Sequence, residues 1–305
     1  MEKMEDVVVI GGGPAGAASA LWLHQLGLRV MLLEAGPAVG GLQLRSPYSN
    51  VWIPGLLGKS GQEVAGLLQE QLRAASVPHV PGFRVTSFRR VDASTAWEVS
   101  NGSRTFRARY VVIATGSKPR SAGFVESDCV AIGPGISMER VSVEGRRVAI
   151  LGGGDNAFDQ AGSVLRRGAA SVDIYCRRRP SAQPLLQRLV PARHVHVGPF
   201  DADQTHMTVN GIPYDVLGVQ FGFDACIPGG LEVPLRAGCI DVDQHGAIPS
   251  LPRMYAAGEV TNYWHPCVTT SFAHGIQVAK SIQLNLLAEA AESASEIAQE
   301  AVVEC

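Results

Sequence analysis

The 305-residue chain has no C-x-x-C pair, no zinc-like spacing of cysteine and histidine, and no apolar run long enough to span a membrane. Its six cysteines, at 129, 176, 226, 239, 267 and 305, are scattered, which argues against a disulfide scaffold and against a bound metal. Neither sign of charge is in excess: Lys and Arg total 26, Asp and Glu 28, and the formal net charge is −2. Nucleic acid is therefore not an expected partner, because neutralising phosphates needs a basic surplus. Charge-driven membrane binding is not expected either. Lysine is scarce beside arginine, and that bias carries no functional weight. The start, Met1-Glu2-Lys3-Met4-Glu5, leads directly into an apolar run too short for a signal peptide or a membrane span, so a cytoplasmic protein is expected. At 46% hydrophobic and 18% charged residues, the composition is that of an ordinary globular protein, and the length suits about two domains.

What is present begins at Asp6-Val7-Val8-Val9-Ile10, which breaks into Gly11-Gly12-Gly13-Pro14-Ala15-Gly16 and then into a helical pattern. Gly11 permits the turn, Gly13 removes a side chain where a pyrophosphate approaches, and Gly16 lets the helix pack on the strand. The helix N-terminus supplies unpaired N–H groups and a positive dipole end. A second apolar run, Val30–Leu33, ends in Glu34, at the distance where a dinucleotide site places a carboxylate for a ribose hydroxyl. Gly-rich turns alone are weak signals, but strand, helix and acid together make a βαβ fingerprint.

Further along, Gly40-Gly41-Leu42-Gln43 precedes a segment through Trp52-Ile53-Pro54-Gly55 that is expected to fold over a bound cofactor. Residues 61–75 have apolar positions at helical spacing. Strands are expected at 83–88, 97–99, 105–108 and 111–113, the last opening into Ala114-Thr115-Gly116, small residues that let backbone pass close to something bulky. A second fingerprint follows, from Arg147–Leu151 into Gly152-Gly153-Gly154-Asp155-Asn156-Ala157. Its second strand ends in Cys176-Arg177-Arg178-Arg179, and guanidinium forks where an acid would stand favour a 2′-phosphate, hence NADP over NAD. Short strands are expected over 194–242. Met254-Tyr255-Ala256-Ala257-Gly258-Glu259 repeats the strand-to-glycine pattern, and a long helix starts near Val268 and runs into an Ala/Glu/Ser-rich tail.

With both fingerprints, the Ala-Thr-Gly strand end and the closing Ala-Ala-Gly-Glu segment in order, the whole chain resembles the low-molecular-weight thioredoxin reductase family of flavoproteins. The resemblance implies an α/β fold of two Rossmann-like, three-layer nucleotide-binding domains. The FAD domain is discontinuous, 1–118 and 243–305, with a second, NADP-like dinucleotide domain inserted at 119–242. It implies that Gly11, Gly13, Pro14, Ala15, Gly16, Glu34 and Ala35 bind the ADP half of FAD, and that Gly40, Gly41 and Gln43 flank the flavin. Ala114, Thr115 and Gly116 close over the cofactor, Gly258 and Glu259 contact its ribityl chain and phosphate, and Val268 adjoins it. Glu259 stands where the family usually has Asp. Gly152, Gly154, Asp155, Asn156, Arg177 and Arg178 would hold NADPH or a second FAD. A homodimer and a small redox-protein partner of thioredoxin, ferredoxin or flavodoxin type also follow from the likeness.

The departures are as informative. The family's redox C-x-x-C falls on Gly135-Ile136-Ser137-Met138, which has no thiol, so the usual thioredoxin reductase mechanism is excluded. The family's HRRxxxR becomes Cys176-Arg177-Arg178 with Ala182 in place of the last Arg, and its Arg-Gln before the closing helix becomes Pro266-Cys267, preceded by His265. Members lacking the dithiol include ferredoxin or flavodoxin NADP reductases, ferredoxin-dependent flavin thioredoxin reductases and diflavin-linked disulfide oxidoreductases. The resemblance sets Cys267 at a helix N-terminus facing the flavin, where a thiol is activated as a nucleophile, with His265 as a nearby base or proton donor. The competing reading is a small packed residue. Cys305 is a candidate second thiol, Cys226 and Cys239 are expected in the core of the second domain, and His274 replaces an acidic position of the family. A non-turnover FAD-binding redox sensor is the reading from outside the enzyme class.

Overall fold

The computed structural model describes residues 4–91, 96–263 and 265–303, with side chains through Glu292; Cys305 lies outside the described residues. The chain divides into two compact units, one of residues 1–44, 49–117 and 225–305, the other of 45–48 and 118–224.

In the first unit, β1 (Glu5–Ile10) pairs in parallel with β2 (Val30–Leu33), which pairs with β3 (His79–Val80). On its other edge β1 pairs with β6 (Thr105–Ile113). The first half of β6 takes up an antiparallel meander, β4 (Ser87–Arg90) and β5 (Trp97–Ser100), and its second half takes the closing strand Met254–Ala256 in parallel. Both sheet faces are covered, which is why β1 reads as an unbroken apolar run rather than an alternation. Val7 and Val9 pack with helix α1 (Pro14–Gln25) and the C-terminal helix Val268–Val303, while Val8 and Ile10 pack with Phe83, Val85, Trp97 and Ile240. Each such valine, fully buried, contributes about 1.5–3 kcal/mol. Helix α2 (Gly61–Ala74) starts on a capping box, with Ser60 Oγ accepting from the Glu63 N–H (3.1 Å) and Glu63 accepting from the Ser60 N–H (2.8 Å).

The second unit holds five parallel strands in the order Val195–Val197, Ser171–Cys176, Arg147–Leu151, Val216–Val219, Val130–Ile132. The helix Asp155–Arg166 packs on one face through Ala157, Phe158, Ala161 and Val164. Residues 45–48 join this unit, with the Tyr48 hydroxyl donating to Glu139 (2.8 Å).

The two Rossmann-like sheets agree with expectation, with four differences. The strand expected at 83–88 is instead Ser87–Arg90, because Phe83 and Val85 are buried in the core from a segment that enters no ladder. The pieces expected at 105–108 and 111–113 are one strand, because Tyr110 is buried and continues it. The return to the first unit falls at Ala225 rather than residue 243: Ile227, Leu231 and Val233 pack against the same face as Val8 and Ile10. Cys226 and Cys239 accordingly lie in the first unit, half-buried, and not in the core of the second.

Glycine also governs helix packing in the first unit. A Cβ on Gly275 would stand 2.2 Å from the Ala15 carbonyl oxygen, and Ser19 Oγ donates to the Gly275 carbonyl at 2.9 Å. Backbone meets backbone here, so relief requires shifting a helix. Gly275→Ala is expected to lower unfolding free energy by about 1–3 kcal/mol, read as a lower urea midpoint at unchanged m-value.

Candidate functional site

In the first unit, β1 ends at Gly11, whose φ of +102° suits glycine alone; a Cβ there would lie 2.4 Å from the Ala114 carbonyl oxygen at the end of β6. Gly13 is the N-cap of α1 and supplies no side-chain cap, leaving the first-turn N–H groups open to an anion. Gly41 abuts Gly13, and the Gly40 N–H donates to the Gly12 carbonyl at 2.8 Å. Glu34 at the end of β2 accepts from the N–H groups of Gly12 (2.6 Å) and Gly36 (2.5 Å), one on each oxygen. A carboxylate has about four lone-pair sites, so capacity for ribose hydroxyls remains.

These elements enclose a cavity of about 210 Å³. It is lined by Gly11, Gly13, Pro14, Ala15, Glu34, Gly41, Gln43, Ala114, Thr115, Gly116, Gly258, Glu259 and Val268. Gly16 lies behind the wall, where a Cβ would overlap the Gly11 carbonyl, and Gly40 and the exposed Ala35 do not line the cavity. Nor do residues 46–60, whose Trp52 is 77% exposed. Thr115 Oγ1 donates to the Cys226 carbonyl (2.6 Å), and Ser117 Oγ donates to Glu259 (2.6 Å), a contact that no spacing in the sequence signals. The bare glycine cradle, open helix end and strand-end carboxylate fit an ADP-bearing flavin.

In the second unit, Gly152, Gly154, Asp155, Asn156, Arg177 and Arg178 line one cleft of about 740 Å³, together with Arg120 and Arg179. Gly154 is the N-cap of its helix, again without a side-chain cap. Asp155 is turned to the following loop, accepting from the Gln183 N–H (2.7 Å) and Nε2 (3.1 Å). The Arg177 guanidinium lies over the Phe200 ring at 5.7 Å. Cys176 is buried against Gly153, and burial pushes its thiol pKa up. Ala182 is buried in the core, with no guanidinium at that position. These donors fit a phosphorylated dinucleotide.

The segment 135–138 is closed to redox chemistry. Ser137 is 7% exposed; its Oγ accepts from the Ile132 N–H (2.9 Å) and donates to Glu126, and Met138 is fully buried. Cys267 is half-buried at the start of the C-terminal helix, outside the lining of the first cavity, as is the exposed His265. Its sulfur stands 3.4 Å from the Thr270 N–H and Thr270 Oγ1 accepts from the Cys267 N–H (3.1 Å), a capping box with sulfur as one partner.

His274 is a site residue whose role the sequence left open. It is 1% exposed, its Nδ1 accepts from the Gly258 N–H (3.2 Å), and its ring stacks on Tyr263 with centroids 4.0 Å apart. The accepting Nδ1 places the proton of the neutral ring on Nε2.

A flavoprotein class with two dinucleotide-binding units is what this fold and these cavities define. The chain matches the pyridine nucleotide-disulphide oxidoreductase family model over residues 5–281, and it belongs to that family. It is an FAD-dependent oxidoreductase of the thioredoxin reductase and ferredoxin–NADP reductase type. A ferredoxin–NADP reductase of Limosilactobacillus fermentum is 34% identical over 300 residues, 86% of this chain and 88% of that protein. A thioredoxin reductase of Listeria monocytogenes is 30% identical over 191 residues, 61% of this chain and 58% of that protein. The fold is shared with the crystal structure of Lactococcus lactis thioredoxin reductase in its FR conformation, at a TM-score of 0.76 and 22% identity over 92% of this chain and 98% of that one.

Burial holds the His274 pKa at about 4, below the ordinary 6.5. The unfolded chain therefore takes up the proton first: the stability is intact above 6.5 and is lost as pH falls from 6.5 towards 4. Between about pH 7.5 and about pH 5, the parent should lose roughly 2 kcal/mol more than His274→Asn in urea unfolding. Parallel losses in the two proteins would contradict a buried neutral ring.

Proposed function

We propose that this chain carries electrons from NADPH, held in the second unit, through FAD, held in the first, to a small one-electron carrier of ferredoxin or flavodoxin type. The observation that carries this reading is the 135–138 segment, where Gly135 and the buried thioether of Met138 stand at the two thiol positions and the Ser137 hydroxyl between them is buried and hydrogen-bonded. A relative similar over 86% of the chain, a ferredoxin–NADP reductase, supports the same acceptor class. Bound FAD supplies the exchange of a two-electron hydride for single electrons. The chain's own residues bind and orient. The N–H groups after Gly13 receive the diphosphate, Glu34 the adenosine ribose, and Glu259, fixed by Ser117, stands beside the cavity end at Gly258. Arg177 and Arg178 receive the 2′-phosphate.

Cys267 serves in this reading as a helix cap, and the His265 carbonyl accepts from Thr270 Oγ1 beside it. A homodimer is the assembly we propose, supported by family likeness and by an exposed apolar groove in the first unit lined by Leu21, Trp22, Leu67, Phe272 and Ile276. The cytoplasm is the proposed compartment, supported by cysteines scattered in the sequence without disulfide-framework spacing. No described helix is long and apolar enough to cross a membrane.

The test is NADPH-dependent reduction of a ferredoxin by the FAD-loaded protein. Arg177→Ala with Arg178→Ala should raise the KM for NADPH by about 100-fold, roughly 3 kcal/mol, and leave that for NADH little changed. Equal loss for both nucleotides would remove the arginines from 2′-phosphate recognition, and a second FAD in the released flavin would favour a diflavin disulfide oxidoreductase. Cys267→Ser retains a capping oxygen, so flavin spectra and ferredoxin reduction should match the parent. Loss of disulfide-substrate turnover with flavin reduction intact would instead make Cys267 a redox sulfur.

A further inference from the structure

The strand order of the second unit creates one particular crevice. From Arg147–Leu151 the chain winds outward through Ser171–Cys176 to Val195–Val197, while Val216–Val219 and Val130–Ile132 lie on the other side. The carboxyl ends of Arg147–Leu151 and Val216–Val219 thus flank a topological switch point, where open α/β sheets bind their ligands. Its two walls are Gly152 and Gln220. A Cβ on Gly152 would lie 2.2 Å from the Gln220 carbonyl oxygen and 3.1 Å from Gln220 Cβ, so the Gln220 side chain starts directly beside bare backbone.

Gln220 lines the 740 Å³ cleft and is only 7% exposed, yet its Nε2 has no hydrogen-bond partner among the described residues. Leaving a buried amide unpaired costs about 1–3 kcal/mol, whereas an apolar side chain of the same length would avoid that cost. The amide can present NH2 or carbonyl by a half-turn of its last bond. Among the described residues no group anchors its NH2 end, so a ligand is free to set the orientation.

The order of groups along the strand ends indicates which part of a ligand reaches it. The arginines follow Ser171–Cys176, the glycine turn and helix N-terminus follow Arg147–Leu151, and Gln220 follows Val216–Val219. A dinucleotide with its 2′-phosphate on the arginines and its diphosphate on the glycine turn has its second ribose and base at Gln220. We propose that Gln220 hydrogen-bonds the nicotinamide-ribose half of the dinucleotide, and that this contact makes the cleft discriminate a whole dinucleotide from its adenosine fragment. The inference rests on the reading of this unit as the NADPH site.

Calorimetric titration of the FAD-loaded protein with NADP⁺ and with 2′,5′-ADP tests it, comparing the parent with Gln220→Leu, which keeps the bulk and removes the amide. NADP⁺ binding should weaken about tenfold, 2′,5′-ADP binding should not change, and the melting temperature should not fall. Equal weakening of both ligands, or unchanged NADP⁺ binding, overturns the proposal while leaving the NADPH site standing. A parent that binds neither ligand overturns the NADPH reading and the proposal with it. Should Gln220→Leu fail to fold, Gln220→Asn, one methylene shorter, is expected to show the same selective loss, and its absence overturns the proposal equally.

Discussion

The first unit depends on main chain meeting main chain at the ends of β1 and β6. A side chain at Gly11 would collide with the Ala114 carbonyl, and one at Gly16 would come within 1.8 Å of the Gly11 carbonyl oxygen. Because no side chain fits, the edge presented to a ligand consists of backbone N–H groups and an uncapped helix start, which is what a diphosphate requires. The same necessity holds Gly275 against Ala15, so that the C-terminal helix reaches the cavity through Val268 and Ser271.

The second unit solves the same problem and then diverges in charge. Gly12 lies against Glu34 in the first unit, and Gly153 lies against Cys176 in the second. At the matching strand end one unit thus has a carboxylate tied by two backbone donors, and the other a buried thiol held neutral. With no negative charge at that strand end, Arg177, Arg178 and Arg179 are the charged groups that follow it along the cleft wall. The 2′-phosphate selectivity proposed above would rest on the absence of an acid as much as on the presence of arginine.

Much of this was legible in the sequence because phosphate cradles constrain backbone, and backbone constraint surfaces as glycine at fixed spacing. Thirteen of the residues assigned to the first site by motif and family likeness line one cavity, and the six of the second site line another. What could not be read arises from contacts between residues far apart in the chain. Ser117 with Glu259, Ser19 with Gly275 and His274 with Gly258 have no local pattern to announce them. The return to the first unit at Ala225 was missed because 225–242 carries only short strands, and its Ile227, Leu231 and Val233 are as apolar as residues of either core.

The loss of the dithiol has a physical counterpart. Ser137 spends its hydroxyl on the Ile132 N–H and Glu126, and Met138 fills space beside Gly218 and Ile150, so the segment serves the packing of its own sheet. Cys176, the buried thiol of that unit, has its pKa raised and its sulfur directed at the His196 carbonyl, the opposite of the electropositive, accessible setting a reactive thiolate needs. A fold shared with thioredoxin reductases therefore does not by itself place a dithiol at 135–138. The four residues from Gly135 to Met138 thus serve packing, and in the proposed reading electrons leave the flavin without passing through a dithiol at that segment.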